Sequence, residues 1–233
     1  MKINIWSDVR CPFCYIGKRK FEKALEKFPH KDEMEVIWRS FQLDSKLQTQ
    51  TDKSVYEHFA EYKGMSLKYA EQMHNRVTQI AQEVGLNFNF DKAVVANSFN
   101  AHRLIQFAKT KGLGNEAEEQ LFKAYFTDGK NIDDISTLIE TGTALGLNKK
   151  ELKEVLASDD FAEEVHQDEL TALRVGVRGV PFFVFNDKYA VSGAQPIDTF
   201  LRTLENSWKE FEKENGSAIT MQEQACLVDG SCN

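Results

Sequence analysis

Cys11 and Cys14 stand two residues apart in the stretch SDVRCPFCYIGK, and a Cys-x-x-Cys pair can do two kinds of chemistry. It can pass two electrons by thiol–disulfide exchange, or it can supply half of a tetrahedral zinc site. A third reading makes both cysteines small core fillers, which suits Cys11 badly because it falls at the exposed corner between a strand and a helix. An all-cysteine zinc site would need Cys226 and Cys232, the other two cysteines of the chain. Their spacing is wider than the usual zinc knuckle, and Pro12-Phe13 is poor chemistry for a turn that wraps a metal, so no metal is expected. Redox exchange is the favoured reading.

That chemistry depends on where the two sulfurs sit. Lys2 to Ser7 alternates like a strand, and from Cys11 onward Tyr15, Lys18, Phe21, Ala24, Leu25 and Phe28 recur at helical intervals. With Pro12 in the first turn, Cys11 opens a helix. Unpaired N–H groups and the positive end of the helix dipole favour an anion there, which lowers the thiol pKa of Cys11. Cys14 then lies one turn beneath, able to close an intramolecular disulfide and release a mixed-disulfide intermediate. Cys11 is the expected nucleophile and Cys14 the resolving thiol. Asp8 is a candidate proton acceptor for Cys14, and a turn or helix-start role fits it equally.

The rest of the chain supplies the frame. Met34 to Leu43 is a second β-rich run, so strand, helix and strand form a parallel unit. Amphipathic helices follow at Ser54–Tyr62, Ser66–Val84, Asp91–Lys111, Asn115–Thr127, Asp133–Leu145, Lys149–Ala157 and Phe161–Val175, with Ser66, Asp91, Asn115 and Asn148 as N-caps. Val180–Phe185 and Tyr189–Ser192 flank the turn Asn186-Asp187-Lys188 as a hairpin, and Pro196 starts a last helix. The expected fold is α/β: a thioredoxin-like fold with a large all-helical domain inserted between the second strand and the closing β-hairpin. Residues 1–48 and 177–213 make the thioredoxin-like domain, 49–176 the helical insert and 214–233 a cysteine-containing tail.

In such a unit a cis Val180-Pro181 peptide would lie beside the cysteines and leave the residue-180 backbone free to bond an extended substrate, as in strand addition. Phe13, Val180 and Pro181 are therefore the expected substrate-binding residues. Strand alternation makes one of Phe182 and Phe183 a core residue and the other a groove residue. His102 shares a helical face with Val95 and Phe99 and reads as a structural interior residue, as do Asn97 and Arg103. Cys226 and Cys232, with Asp229-Gly230 able to make the turn between them, form a second redox pair that relays electrons to the first, or else a reduced tail.

Composition narrows the partners. The chain has 233 residues, net charge −7, 42% hydrophobic and 11% aromatic residues, which is ample for a core without disulfide staples. Lysines and arginines are scattered among acids, so no nucleic-acid footprint is present. No apolar run approaches membrane-spanning length and the first residues carry no leader pattern, so a cytoplasmic protein is expected, with no membrane partner. In a reducing cytosol a close cysteine pair is catalytic, sensing or metal-bound more often than structural.

The segments SDVRCPFCYIGK, NAHRLIQFA, GVPFFVF, YAVSGAQP and CLVDGSC, in that order, resemble the FrnE-like branch of the DsbA thiol–disulfide oxidoreductases. The resemblance implies dithiol–disulfide exchange, with protein or small-molecule thiols and disulfides as partners and no bound cofactor. Phe13 stands where secreted DsbA proteins carry histidine, which removes a cation that would stabilise the thiolate. The architecture is also similar to that of the kappa-class glutathione transferases and hydroxychromene-carboxylate isomerases. Those enzymes typically carry serine in place of Cys11 and lack the second cysteine, so both thiols here favour redox chemistry, with glutathione admitted as a co-substrate. A zinc-binding or redox-sensing protein without turnover is the remaining alternative.

Overall fold

The computed structural model describes residues 1–229, with side chains through Asn215. The chain runs β1 (Lys2–Ser7), α1 (Pro12–Glu26), a short 3-10 turn at Lys31–Glu33, and β2 (Glu35–Ser40). β1 pairs parallel to β2, as a crossover through one helix requires. β5 (Phe182–Phe185) and β6 (Tyr189–Ser192) complete a four-stranded sheet in the order β2-β1-β5-β6, with β5 antiparallel to both of its neighbours. β1 is therefore central, and five of its six residues are buried.

One sheet face carries α1 and α9 (Ile197–Asp229). Phe21 of α1, Phe183 and Phe200 interlock there, with Phe183 and Phe200 ring centroids 4.7 Å apart. Gly176 and Gly193 stand at positive φ around the return to the sheet.

Between β2 and β5 lie β3 (Gln50–Ser54), α2 (Val55–Lys63), α3 (Leu67–Glu83), β4 (Val94–Val95), α4 (Phe99–Lys109), α5 (Gly114–Phe126), α6 (Ile135–Ala144), α7 (Lys149–Ala157) and α8 (Ala162–Val175). This is a thioredoxin fold carrying an inserted helical domain. The insert is not helical throughout, because β3 and β4 pair antiparallel. The helix expected from Asp91 begins instead at Phe99. Its first eight residues go to an exposed turn at Asp91-Lys92, the short β-branched strand Val94–Val95 and the connection to Ser98, and the Asn97 side chain accepts the Phe99 N–H at 2.8 Å. Asp91 accepts the Tyr56 hydroxyl at 2.8 Å rather than capping a helix. Asn115 is not an N-cap either: α5 starts one residue earlier, and the Asn115 side chain takes the Trp38 indole N–H at 3.1 Å. Ser66 and Asn148 cap α3 and α7 as expected, and Ser54 closes a capping box with Glu57. α9 extends beyond Glu214, where a non-periodic tail was expected. The Cys226 side chain and all of Cys232 lie outside the described residues.

Candidate active site

Cys11 is the N-cap of α1, and Pro12 is the first helical residue. The Cys11 N–H donates to the Asp8 carbonyl at 2.8 Å and the Cys14 N–H to the Cys11 carbonyl at 3.0 Å, so a tight turn delivers the first sulfur to the helix start. Both cysteines are free thiols. Cys14 is fully buried, and Cys11 is only 5% exposed, which corrects the expectation of an exposed corner. The cover comes from a segment 169 residues away: the Cys11 thiol donates to the Val180 carbonyl at 3.5 Å.

The Val180-Pro181 peptide is cis. In the dithiol form the Cys11 thiol takes one acceptor position of the Val180 carbonyl. The loop approaches α1 closely at Gly17, where a Cβ would come 3.0 Å from Pro181 Cγ and 3.5 Å from Phe183 Cζ. Gly17→Val is expected to push Pro181 away from Cys11. A displacement of this kind should slow disulfide exchange by roughly ten- to a hundredfold, measurable by stopped flow on a variant whose circular dichroism is unchanged. Of the two phenylalanines, Phe183 is a core residue. Phe182, half-buried, packs on the Trp6, Val177 and Val184 cluster.

Beneath the cysteines lies a buried polar group. Burial, then the neighbouring Cys11 sulfur, hold the Cys14 thiol well above its ordinary pKa, while the Asp8 N–H and the Ser7 hydroxyl pull it down. Ser7 Oγ donates to Glu118 Oε1 at 2.6 Å, with both residues buried. The Asp8 carboxylate turns elsewhere: Oδ2 accepts the Leu43 N–H at 2.8 Å, Oδ1 accepts the Arg10 N–H at 3.1 Å, and His102 Nε2 stands 3.6 Å from Oδ1.

That last distance is an ion-pair contact, and neither His102 ring nitrogen has a hydrogen-bond partner. Burial pushes the Asp8 carboxyl up, but His102, Arg10 and the Leu43 N–H outweigh it, so its pKa is lowered. Burial likewise works against a charged His102, yet Asp8 and then Glu118 and Glu169 raise its pKa above the ordinary histidine value. For Glu118, burial raises the pKa against the pull of His102, Ser7 and Lys18.

Glu118 and Ser7 escaped the sequence reading, and His102 was read only as structural. A signal existed for Glu118: it shares the buried stripe of α5 with Ala117, Leu121 and Phe122, and an acid on such a stripe needs a partner. Arg103 is structural as expected, donating to the Asp160 carbonyl at 2.9 Å and the Val155 carbonyl at 2.5 Å. Asn97 tethers the segment after β2, with its Nδ2 2.8 Å from the Leu47 carbonyl.

A cavity of about 560 Å³ opens beside the pair, reached by Arg10, Cys11, Pro12 and Phe13 on one side and by α2 and α3 on the other. Phe13 is 42% exposed at its edge. Among the described residues there is no cluster of three or more His, Cys, Asp or Glu side chains placed to hold a metal, and no helix is long and apolar enough to cross a membrane.

The chain is similar to known proteins in sequence and in fold. The chain is 26% identical over 211 residues to the uncharacterized protein YwbO of Bacillus subtilis (strain 168), covering 89% of this chain and 98% of that one. A crystal structure of a probable DsbA oxidoreductase from Streptomyces coelicolor superposes with a TM-score of 0.85 at 36% identity, covering 90% of this chain and 91% of that one. The cytosolic disulfide reductase DsbM from Pseudomonas aeruginosa, solved with GSH, shares the fold at a TM-score of 0.65 and 18% identity, over 90% of this chain and 100% of that one. Residues 2–205 match the model of the DSBA-like thioredoxin domain. That match covers most of the 233 residues, and the chain belongs to the DSBA-like thioredoxin domain family.

Proposed function

We propose that the protein is a cytoplasmic thiol–disulfide oxidoreductase that works through the Cys11-Pro12-Phe13-Cys14 motif on protein or small-molecule disulfides. The observation that carries this reading is the Cys11 thiol at the N-terminus of α1, 3.5 Å from the Val180 carbonyl, with Cys14 buried one turn below. In the reducing direction the Cys11 thiolate attacks a substrate disulfide, forms a mixed disulfide and expels the first substrate thiolate. Cys14 then attacks the Cys11 sulfur, the second substrate thiolate leaves, and the protein ends as the Cys11–Cys14 disulfide. Two electrons have passed to the substrate. An external dithiol resets the pair, and glutathione is proposed as a physiological co-substrate. Disulfide isomerisation uses the same first attack.

Resolution requires Cys14 to lose a proton from a dry site. Ser7, which bears on Cys14 and donates to Glu118, offers the route: the Cys14 proton moves to the Ser7 oxygen as the Ser7 proton moves to Glu118. Asp8, for which proton-acceptor and turn roles fit the sequence equally, bears on Cys14 through its N–H, and the role its carboxylate supports is raising the His102 pKa. The groups facing Glu118 are Ser7 and Asp8 from the β1 end, Lys18 from α1, and His102 and Lys109 from α4. Glu118→Gln is expected to slow resolution of a Cys11 mixed disulfide about a hundredfold near neutral pH. It should also remove the inflection that Glu118 ionisation gives the wild-type rate above the ordinary carboxylate range. Rapid-quench mass spectrometry across pH reads both.

The test of the overall reading is insulin reduction driven by dithiothreitol, run beside metal analysis of the purified protein. Catalysed reduction by metal-free protein is expected. Stoichiometric zinc with no turnover would overturn the enzyme reading in favour of a metal-binding or sensing protein.

A further inference from the structure

Disulfide exchange by itself needs only a reachable sulfur and an edge for an extended chain. The cavity beside Cys11 goes well beyond that. Its volume of about 560 Å³ lies within the usual range of small-molecule sites, roughly 300–1,000 Å³. Its inner wall is apolar, built by Val55, Phe59, Val77, Ile80, Phe90 and Phe126. Tyr62, Tyr69 and Met73 continue that surface to the mouth, where they stay 63%, 54% and 38% exposed. Exposed aromatic and apolar side chains contiguous with an apolar cavity mark a ligand surface.

The charges around this cavity run against those of the protein. The chain carries −7 overall, yet Arg10, Lys63 and Arg76 line the cavity against a single acid, Asp44. His58 and His74 also line it, and burial lowers the pKa of each, with Arg10 and Lys53 adding to the effect at His58. They therefore stay neutral around pH 7, and the cationic excess belongs to the three long side chains. Arg10, adjacent to the nucleophile, has Nε and Nη1 buried without a hydrogen-bond partner. Buried guanidinium donors left unpaired are costly, and an oxyanion is their natural acceptor.

We propose that the cavity binds the substituent of a small disulfide substrate, an aromatic or other apolar group bearing a carboxylate or sulfonate, and so places the substrate sulfur at Cys11. The proposal rests on Cys11 being the nucleophile. The apolar body fills the space between Phe13 and the α2–α3 wall, while the anion meets Arg10 within and Arg76 and Lys63 at the rim. No new covalent step is involved: the exchange is the one written above, with the substituent leaving as its thiolate.

Single-turnover rates of the reduced full-length protein test this with four symmetric disulfides: 5,5′-dithiobis(2-nitrobenzoate), 4,4′-dithiodipyridine, dithiodiglycolate and cystamine. Each rate is divided by that of the same disulfide with dithiothreitol, which removes intrinsic reactivity. The normalised rate for the aromatic anion is expected to saturate and to exceed that for aliphatic, cationic cystamine at least a hundredfold. The uncharged aromatic and the aliphatic anion should fall between.

Met73→Glu and Arg76→Glu alter exposed positions on α3 and so keep the fold testable. Each should raise the half-saturation concentration for the aromatic anion at least tenfold. Equal normalised rates across the panel, or unchanged half-saturation in both variants, would overturn the proposal while catalysed insulin reduction left the oxidoreductase reading standing. A peptide disulfide with apolar flanks saturating at lower concentration than the aromatic anion would also overturn it, in favour of polypeptide substrates. Loss of exchange with every disulfide, insulin included, would instead refute the reading on which it rests.

Discussion

Cys11→Ser loses disulfide exchange by a factor on the order of 10⁴ or more, because a serine hydroxyl offers no thiolate and nothing else at the helix start can attack sulfur. Cys14→Ser behaves differently. Its first attack proceeds, the first substrate thiolate leaves, and the protein accumulates as a Cys11 mixed disulfide that only added thiol releases. The asymmetry follows from position. Cys11 lines the cavity and touches the Val180 carbonyl, while Cys14 is wholly buried and raised in pKa by that burial. Insulin turbidity measures the loss, and intact-mass spectrometry counts the trapped adduct. Adduct formation at equal rates in both single variants would show that the two sulfurs are not divided into attacker and resolver.

The second large effect is on stability. Asp8 and His102 are both buried within the fold and 3.6 Å apart. Asp8→Asn strips buried His102 of the carboxylate that does most to raise its pKa, and breaking a buried pair costs about 3–5 kcal/mol. The pH dependence carries a sign that identifies the pair. Asp8 has a folded pKa below its unfolded one, so its contribution is present above about pH 3.9 and lost as pH falls through the lower folded value. His102 has a folded pKa above its unfolded one. Its contribution is full below about pH 6.5 and lost as pH rises through the folded value. The pair therefore stabilises most between about pH 4 and 6.5. The urea midpoint of the wild type should decline on the alkaline side of that window, and Asp8→Asn should lose this decline. A variant as stable as wild type at pH 6 would show that the contact is idle.

Local chemistry made much of this molecule legible before its structure. A strand ending at Ser7, a proline in the first turn after Cys11, and a turn between two β-rich runs are short-range signals, and each produced its element. Asp91–Ser98 misled because its apolar spacing suits a helix as well as a turn followed by a short strand. Only pairing with β3, about forty residues earlier, decides between them. The polar group under Cys14 was out of reach for a related reason. Ser7 and Glu118 are 111 residues apart in sequence, and periodicity shows which face of a helix is buried without showing what that face meets. The cavity is subject to the same limit, since Arg10 and Arg76 line it from segments whose separate patterns contain no trace of one another.

The hydrogen bond from Ser7 to Glu118 joins the central strand to a helix of the insert. The Trp6 indole to the Asp168 carbonyl, at 2.9 Å, and the Trp38 indole to Asn115, at 3.1 Å, tie the same two parts together. The proposed nucleophile and the carboxyl proposed to take the Cys14 proton thus come from different stretches of chain, and neither stretch is a portable module. Grafting the CPFC loop onto another thioredoxin-like scaffold would carry over the attacking sulfur and leave its acid behind. Exchanging the insert for a relative's would swap the charge environment of Cys14 while leaving the motif letter-perfect, so two chains with identical Cys-x-x-Cys signatures can differ in the pH at which they turn over.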